Sequence, residues 1–296
     1  MPDIFLTNGA GASATLSTTG ASILELALDS KNLIPRAKDA TKVFAGAVLA
    51  PWQNRLAKGE WVDPTGKALR NPINEVSLGN AHHGLVFDAE FSVKEQKTNS
   101  ITFEHLIGES AGYPFKVNLE ISYELTEFEF TCRFTATNKG QEIAPFVIGF
   151  HPYFAIGDSG QAFLTLPAQS FYTQTKSKTP DEKVPSANSD FDFSKGRALA
   201  GLGIDDFFTD LVVNAGEIVS RLDTADWVIE LHQSENLKHL VVYLTDHFDS
   251  DSGVISALAL EPASGAANAF NNQQDLVLIN PGESFSGHWG VRLATK

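Results

Sequence analysis

Between Phe115 and Phe134 the chain alternates apolar and polar residues, and this pattern constrains the fold more than any other. Phe115, Val117, Leu119, Ile121 and Tyr123 are interleaved with Lys116, Asn118, Glu120, Ser122 and Glu124. After Leu125 and Thr126 the pattern resumes as Phe128, Phe130, Cys132 and Phe134, separated by Glu129, Thr131 and Arg133. Successive side chains of a strand point to opposite faces, so a period of two predicts an antiparallel pair with one buried face. Cys132 belongs to the apolar set and reads as a small buried hydrophobe. It is the only cysteine, so no internal disulfide is expected.

Shorter runs rich in aliphatic or aromatic residues follow: Phe163 to Leu166, Leu211 to Val213, Trp227 to Leu231, Leu240 to Leu244, Val254 to Leu260 and Leu276 to Ile279. Gly, Asn, Asp and Pro separate many of them, as turns require. No long stripe of period 3.6 appears, nor a regular strand-helix alternation. Layered antiparallel sheets are therefore expected, and a doubly wound or barrel α/β fold is not. The segment from Gln174 to Gly203 begins polar and rich in Pro, Ser and Lys, and reads as a long, functional or mobile excursion. A chain of 296 residues with 43% hydrophobic content can close one large all-β core. One domain over residues 1–296 is the expectation, without internal repeat or linker.

The charge balance narrows the partners. With 22 Lys plus Arg against 36 Asp plus Glu, the net charge is -14, which disfavours nucleic acid and anionic membranes. No apolar run reaches the 18 or more residues of a spanning helix. The start MPDIFLTNGAGASATLS lacks the basic and apolar regions of a secretory signal, so a cytoplasmic location is expected.

Four segments carry a family resemblance. They are Ala50-Pro51-Trp52-Gln53-Asn54-Arg55 with Gly59-Glu60-Trp61, then Asn80-Ala81-His82-His83-Gly84-Leu85, then Gly149-Phe150-His151-Pro152-Tyr153-Phe154, and Leu260-Glu261-Pro262-Ala263-Ser264-Gly265 with Ala269-Phe270-Asn271. Asn280-Pro281-Gly282-Glu283 and Trp289 add to them. In this order and spacing they resemble the aldose 1-epimerase (mutarotase) family. The resemblance implies an all-β fold, a large antiparallel β-sandwich of the galactose mutarotase type. It also implies an enzyme that interconverts the α and β anomers of a free hexose, without metal or cofactor, as monomer or homodimer. Glu261 is the implied base and His151 the implied acid, with Arg55, His83 and Asp205 binding the sugar. The weaker fifth match, Ile204-Asp205-Asp206-Phe207-Phe208, favours Asp205 over Asp206, and motif position favours His83 over His82.

Two departures leave the sugar open. The histidine segment reads Gly-Phe-His-Pro, where galactose mutarotases commonly place asparagine before the histidine and no proline after it. Leu85-Val86-Phe87-Asp88 lacks the arginine and tryptophan that some relatives carry after His-Gly. Alternatives are a mutarotase for a phosphorylated or uncommon sugar, or a carbohydrate-binding protein without turnover.

The implied chemistry suits these residue types. Opening a pyranose needs a base for the C1 hydroxyl and an acid for the ring oxygen, and carboxylate and imidazole both exchange protons near neutral pH. Arginine offers only donors and ionised aspartate only acceptors, so together they can read hydroxyl orientation. Competing readings are weaker. His82-His83 and distant His151 form no His-Glu-x-x-His motif. Asp249, Asp251 and Gly253 approach a calcium loop, but the glycine is one place early and Leu260 stands where glutamate is needed, which leaves a turn. Asn8-Gly9-Ala10-Gly11 reads as a turn. Nucleophile elbow, phosphate loop and dinucleotide fingerprint are absent.

Overall fold

The alternating segment folds as a hairpin. In the computed structural model, which describes residues 3–295, strands Val117–Leu125 and Glu129–Asn138 pair antiparallel from Val117 opposite Asn138 to Leu125 opposite Phe130. Val117, Leu119, Ile121, Tyr123, Phe130, Cys132 and Phe134 are all buried, as the period requires. Phe128 departs from the expected set: it is 51% exposed. The backbone N–H of Thr126 donates to the Glu129 carbonyl, closing the turn, and the second strand starts only after Phe128.

The hairpin lies within a nine-stranded antiparallel sheet. Its order is Ser92–Gln96, Ser100–Ile107, Val117–Leu125, Glu129–Asn138, Ser284–Leu293, Val228–Ser234, Glu217–Asp223, Phe163–Thr165 and Arg197–Ala198. A second sheet, of eight strands, runs Pro180–Pro185, Ala168–Gln174, Asp205–Leu211, His239–Ser250, Gly253–Ala263, Gly149–Phe150 and Val48–Leu49, with Tyr153–Ala155 also on Gly253–Ala263. Smaller sheets include Ile4–Thr7 to Lys31–Ile34 and the pair Arg55–Ala57 with Asn80–His82. Helix is confined to Ala269–Asn272 and one 3-10 turn among the described residues. The protein is an antiparallel β-sandwich, the architecture that the resemblance implies.

Between the two large sheets lies the main core. Phe134 of the first sheet meets Phe150 of the second at 5.9 Å between ring centroids, and Phe150 meets Trp289 at 5.6 Å. Burying an aliphatic or Phe side chain contributes about 1.5–3 kcal/mol. An exposed ion pair contributes ~0–1 kcal/mol. Sheet-to-sheet packing therefore holds the sandwich together.

The polar segment after Gln174 is less of an excursion than its composition suggests. Pro180–Pro185 pairs with Ala168–Gln174, and Arg197–Ala198 pairs with Phe163 and Leu164. The calcium-like run is the turn the sequence indicated, between His239–Ser250 and Gly253–Ala263. Its Asp249 pairs with Lys38 at 2.6 Å, and Asp251 lies 3.6 Å from Arg36.

Candidate active site

Strand Gly253–Ala263 sorts its side chains by parity. Leu258 and Leu260 join the main core, while Ala257 and Ala259 pack with Tyr153 and Phe248 in a separate cluster. Glu261 shares the parity of Ala259, so it projects from the face turned away from the nine-stranded sheet. The same rule sends Phe150 into the core and His151 to the opposite face. His151 Nε2 then lies 3.5 Å from Glu261 Oε1, both side chains buried.

A cleft of about 310 Å³ opens there, lined by Arg55, His82, His83, His151, Asp205 and Glu261. All five residues singled out from the sequence therefore meet in one place. Phe44, Asn54, Tyr153, Lys178 and Tyr243 complete much of its wall. Small-molecule pockets span roughly 300–1,000 Å³, so the cleft suits one small ligand.

Arg55 opens the strand that pairs with Asn80–His82, directly opposite His82. Its guanidinium is clamped by Glu75: Nε donates to both carboxylate oxygens at 3.1 and 3.0 Å, and Nη2 donates to Oε1 at 3.0 Å. Asn80 Nδ2 donates to Glu75 Oε2 at 2.8 Å, fixing the clamp in turn. The His82 and His83 rings lie 3.7 Å apart between centroids, and Phe44 packs 4.5 Å from the His83 ring. Gly84 lets the chain leaving His83 pass close to Ala50: at φ +79° an added Cβ would sit 2.2 Å from the Ala50 carbonyl oxygen.

The adjacent aspartates are separated by their partners. Asp205 lines the cleft and forms an ion pair with Lys178. Asp206 accepts from Gln174 Nε2 at 3.0 Å and from the Asp205 backbone N–H at 3.1 Å. The two histidines are not separated, since both line the cleft.

Two further properties mark the cleft. Phe44, Asn54, His83 and Lys178 all have positive φ, between 52° and 64°. Non-glycine residues rarely adopt this backbone, and strain of this kind collects where side chains must be aimed. In addition, His82 Nε2, His83 Nδ1, His151 Nδ1 and Glu261 Oε2 are buried without a hydrogen-bond partner among the described residues. Buried polar groups are normally paired, so four such atoms around one cavity are unusual.

Burial also shifts the acid-base groups. Desolvation raises Glu261 well above the usual carboxylate value, the Asp205 charge raises it further, and Arg55 opposes. It lowers His151 to about 4, against the Asp205 charge that favours the imidazolium. His82 falls to about 3 through burial, Arg55 and His151, and burial also lowers His83. Burial thus favours the uncharged form of each group.

Sequence reading missed Glu75 and Lys178. Glu75 lies between two recognised segments with no motif of its own. Lys178 lies in the polar segment singled out for its length, but composition could not select it.

Residues 2–292 match the family model described as aldose 1-epimerase. The chain belongs to the aldose 1-epimerase family. It is 28% identical to the uncharacterized Escherichia coli (strain K12) protein YihR over 284 residues, covering 91% of this chain and 86% of that one. Among solved structures, the aldose epimerase homologue from C. elegans superposes with a TM-score of 0.86 at 18% identity, covering 99% of this chain and 98% of that one. Galactose 1-epimerase from Lactobacillus acidophilus NCFM gives 0.81 at 19% identity, covering 99% and 94%. The scaffold is therefore that of the mutarotase-like enzymes of this family.

Proposed function

We propose that the protein is an aldose 1-epimerase acting on a free hexose, with Glu261 and His151 as its acid-base pair. The observation that carries this reading is the convergence of four unpartnered buried polar atoms, two of them on this pair, in one small cleft. A pyranose presents hydroxyls and a ring oxygen able to meet them. Glu261 takes the C1 hydroxyl proton while His151 protonates the ring oxygen. The C1–O5 bond breaks, the aldehyde rotates, and closure on its other face returns both protons. Arg55 and Asp205 hold sugar hydroxyls, and His83 orients the ring oxygen.

The roles require the proton on His151, whereas burial alone favours it on Glu261. Both states hold one proton between two groups 3.5 Å apart. Moving between them is a proton shift within the site, with no net exchange with solvent. Arg55 favours the carboxylate and Asp205 the imidazolium. A C1 hydroxyl donating to Glu261 and a ring oxygen accepting from His151 add to that preference.

An uncharged sugar fits the charge balance better than a phosphorylated one. Both cations of the cleft already face a carboxylate: Arg55 faces Glu75 and Lys178 faces Asp205. The test is polarimetry of freshly dissolved α-D-glucose and α-D-galactose, with wild-type protein and Glu261→Gln. Faster relaxation with wild type, lost in the variant, is expected. No acceleration by wild type with either sugar would overturn the free-hexose reading; full activity in the variant would remove Glu261 from the role of base.

A further inference from the structure

A second histidine cluster lies on the outer face of the nine-stranded sheet. Strands Glu129–Asn138, Ser284–Leu293, Val228–Ser234 and Glu217–Asp223 run side by side there. Their inward residues, among them Phe130, Trp289, Leu231 and Ile218, are buried. The outward set includes Glu129, His288, His232 and Glu217. An outward residue is expected to be solvated, yet His232 is only 3% exposed.

Its ring lies over Gly290, the residue opposite it on the neighbouring strand, where an added Cβ would come within 2.6 Å of Nε2. Glycine therefore makes the room that the imidazole occupies. Neither ring nitrogen closes a hydrogen bond among the described residues. Nε2 is 3.0 Å from Glu129 Oε1 but off the direction of an N–H bond, and Nδ1 is 3.7 Å from Glu217 Oε1. One ligand atom from each of Glu217, His232 and His288 lies within 4.8 Å of the other two.

We propose that Glu217, His232 and His288 bind one divalent transition-metal ion of the zinc class, bridging three strands of the outer sheet. Two imidazoles and one carboxylate form a donor set that zinc accepts, with water able to complete four-coordination. His232 Nδ1 faces Glu217 and would take the metal. Nε2–H would then turn to Glu129, the carboxylate-histidine-metal arrangement that fixes the tautomer of a ligating imidazole.

Local charge permits this. Arg292 approaches Glu217 Oε2 at 3.4 Å, but its Nε is held more closely by Glu230 at 2.9 Å. Glu217 Oε1 remains on the His232 side. Arg133, opposite His288, is the second nearby cation. Glu129, Glu217, Glu230 and Asp223 thus outnumber Arg133, Arg221 and Arg292. The chain reaches this cluster from positions 217, 232 and 288, a spacing that matches no short metal motif.

The test is calorimetric titration of the chelator-treated protein with Zn²⁺ alone at pH 7, with wild type, His288→Ala, Glu217→Gln and Glu129→Gln. One equivalent bound by wild type is expected, weakened at least tenfold in the first two variants. Glu129→Gln should weaken binding by about 10–100-fold, as removal of an outer carboxylate does. Each variant is melted in EDTA; a midpoint near wild type shows that a loss of binding is not a loss of fold. Any zinc held by the cleft histidines would be an equivalent that these variants leave in place. A wild type that binds no Zn²⁺, or a His288→Ala and Glu217→Gln pair that retain all of it, overturns the proposal. Two equivalents in wild type falling to one in both variants supports it.

Discussion

The cleft and the outer cluster each set a buried histidine beside carboxylates on an antiparallel sheet, yet the chain prepares them differently. At the outer cluster the donors stand on regular strands, and their positions follow from register alone. In the cleft only part of the set does. Glu261 and Asp205 come from strands, whereas Phe44, Asn54, His83 and Lys178 sit on left-handed backbone. The carboxylate nearest His151 is buried with it, while Glu129 beside His232 is 39% exposed. Regular strands suffice to place a set of ligands. Aiming several side chains at one small ligand requires loops held in costly conformations, and burial of the carboxylate is what perturbs its proton affinity.

The largest expected contrast is catalytic. Glu261→Gln should lower the mutarotation rate by roughly 10²–10⁴-fold, the usual contribution of a general acid or base. Glu217→Gln, on the opposite sheet, should leave it unchanged. Equal losses in both would break the distinction between the two clusters. So would equal indifference.

The pH dependence sharpens the contrast next. In the proposed mechanism the cleft works with one proton held by Glu261 and His151 together. His151 is lowered to about 4, so a second proton enters near that pH and leaves no base. Below it, kcat/KM should fall tenfold per unit, provided near-UV circular dichroism shows the fold intact. On the alkaline side the last proton leaves only above the raised pKa of Glu261. The profile of kcat/KM reports the free protein, and its acid limb should not lie near 6.5. An acid limb there would mean that His151 titrates as an ordinary exposed imidazole, and the contrast in burial would lose its chemical meaning.

Glu75 should give a smaller effect, because it acts on the cleft only through Arg55. Glu75→Gln removes one charged arm of a clamp with three short contacts. Hydrogen bonds to charged groups contribute about 1.5–3 kcal/mol. A loss near the lower end predicts about tenfold in kcat/KM, expressed mainly in KM. A change confined to kcat would instead place Glu75 in the proton transfers.

Much of this was legible in the sequence, and the reasons differ by region. Alternation between Phe115 and Phe134 revealed the hairpin because one face of it is buried. It failed at Phe128 because a turn can hold an apolar residue outside the pairing. His151 and Glu261 could be found because each sits in a recognisable segment. Glu75 could not, since its role is a contact made across 20 residues to Arg55. The outer cluster was equally hidden: its members are remote in sequence and become neighbours only through strand order.

Asp205 and Asp206 provide the finest test, because they are adjacent in sequence and differ mainly in their partners. Asp205 lines the cleft, where its carboxylate pairs with Lys178. Asp206 is occupied by Gln174 and by the backbone of Asp205. Asp205→Asn keeps one acceptor oxygen but loses the charge, so KM should rise a few-fold with little change in kcat. That corresponds to roughly 1 kcal/mol, the scale of one neutral hydrogen bond. Asp206→Asn keeps one acceptor oxygen, for Gln174 or for the Asp205 N–H, and should leave both parameters nearer to wild type than Asp205→Asn does. If the two effects are reversed, the hydroxyl-binding carboxylate is Asp206, and the Lys178 pair marks only the rim of the cleft. If both variants raise KM, the strand start acts as one unit, and distance from the sugar no longer separates a binding residue from its support.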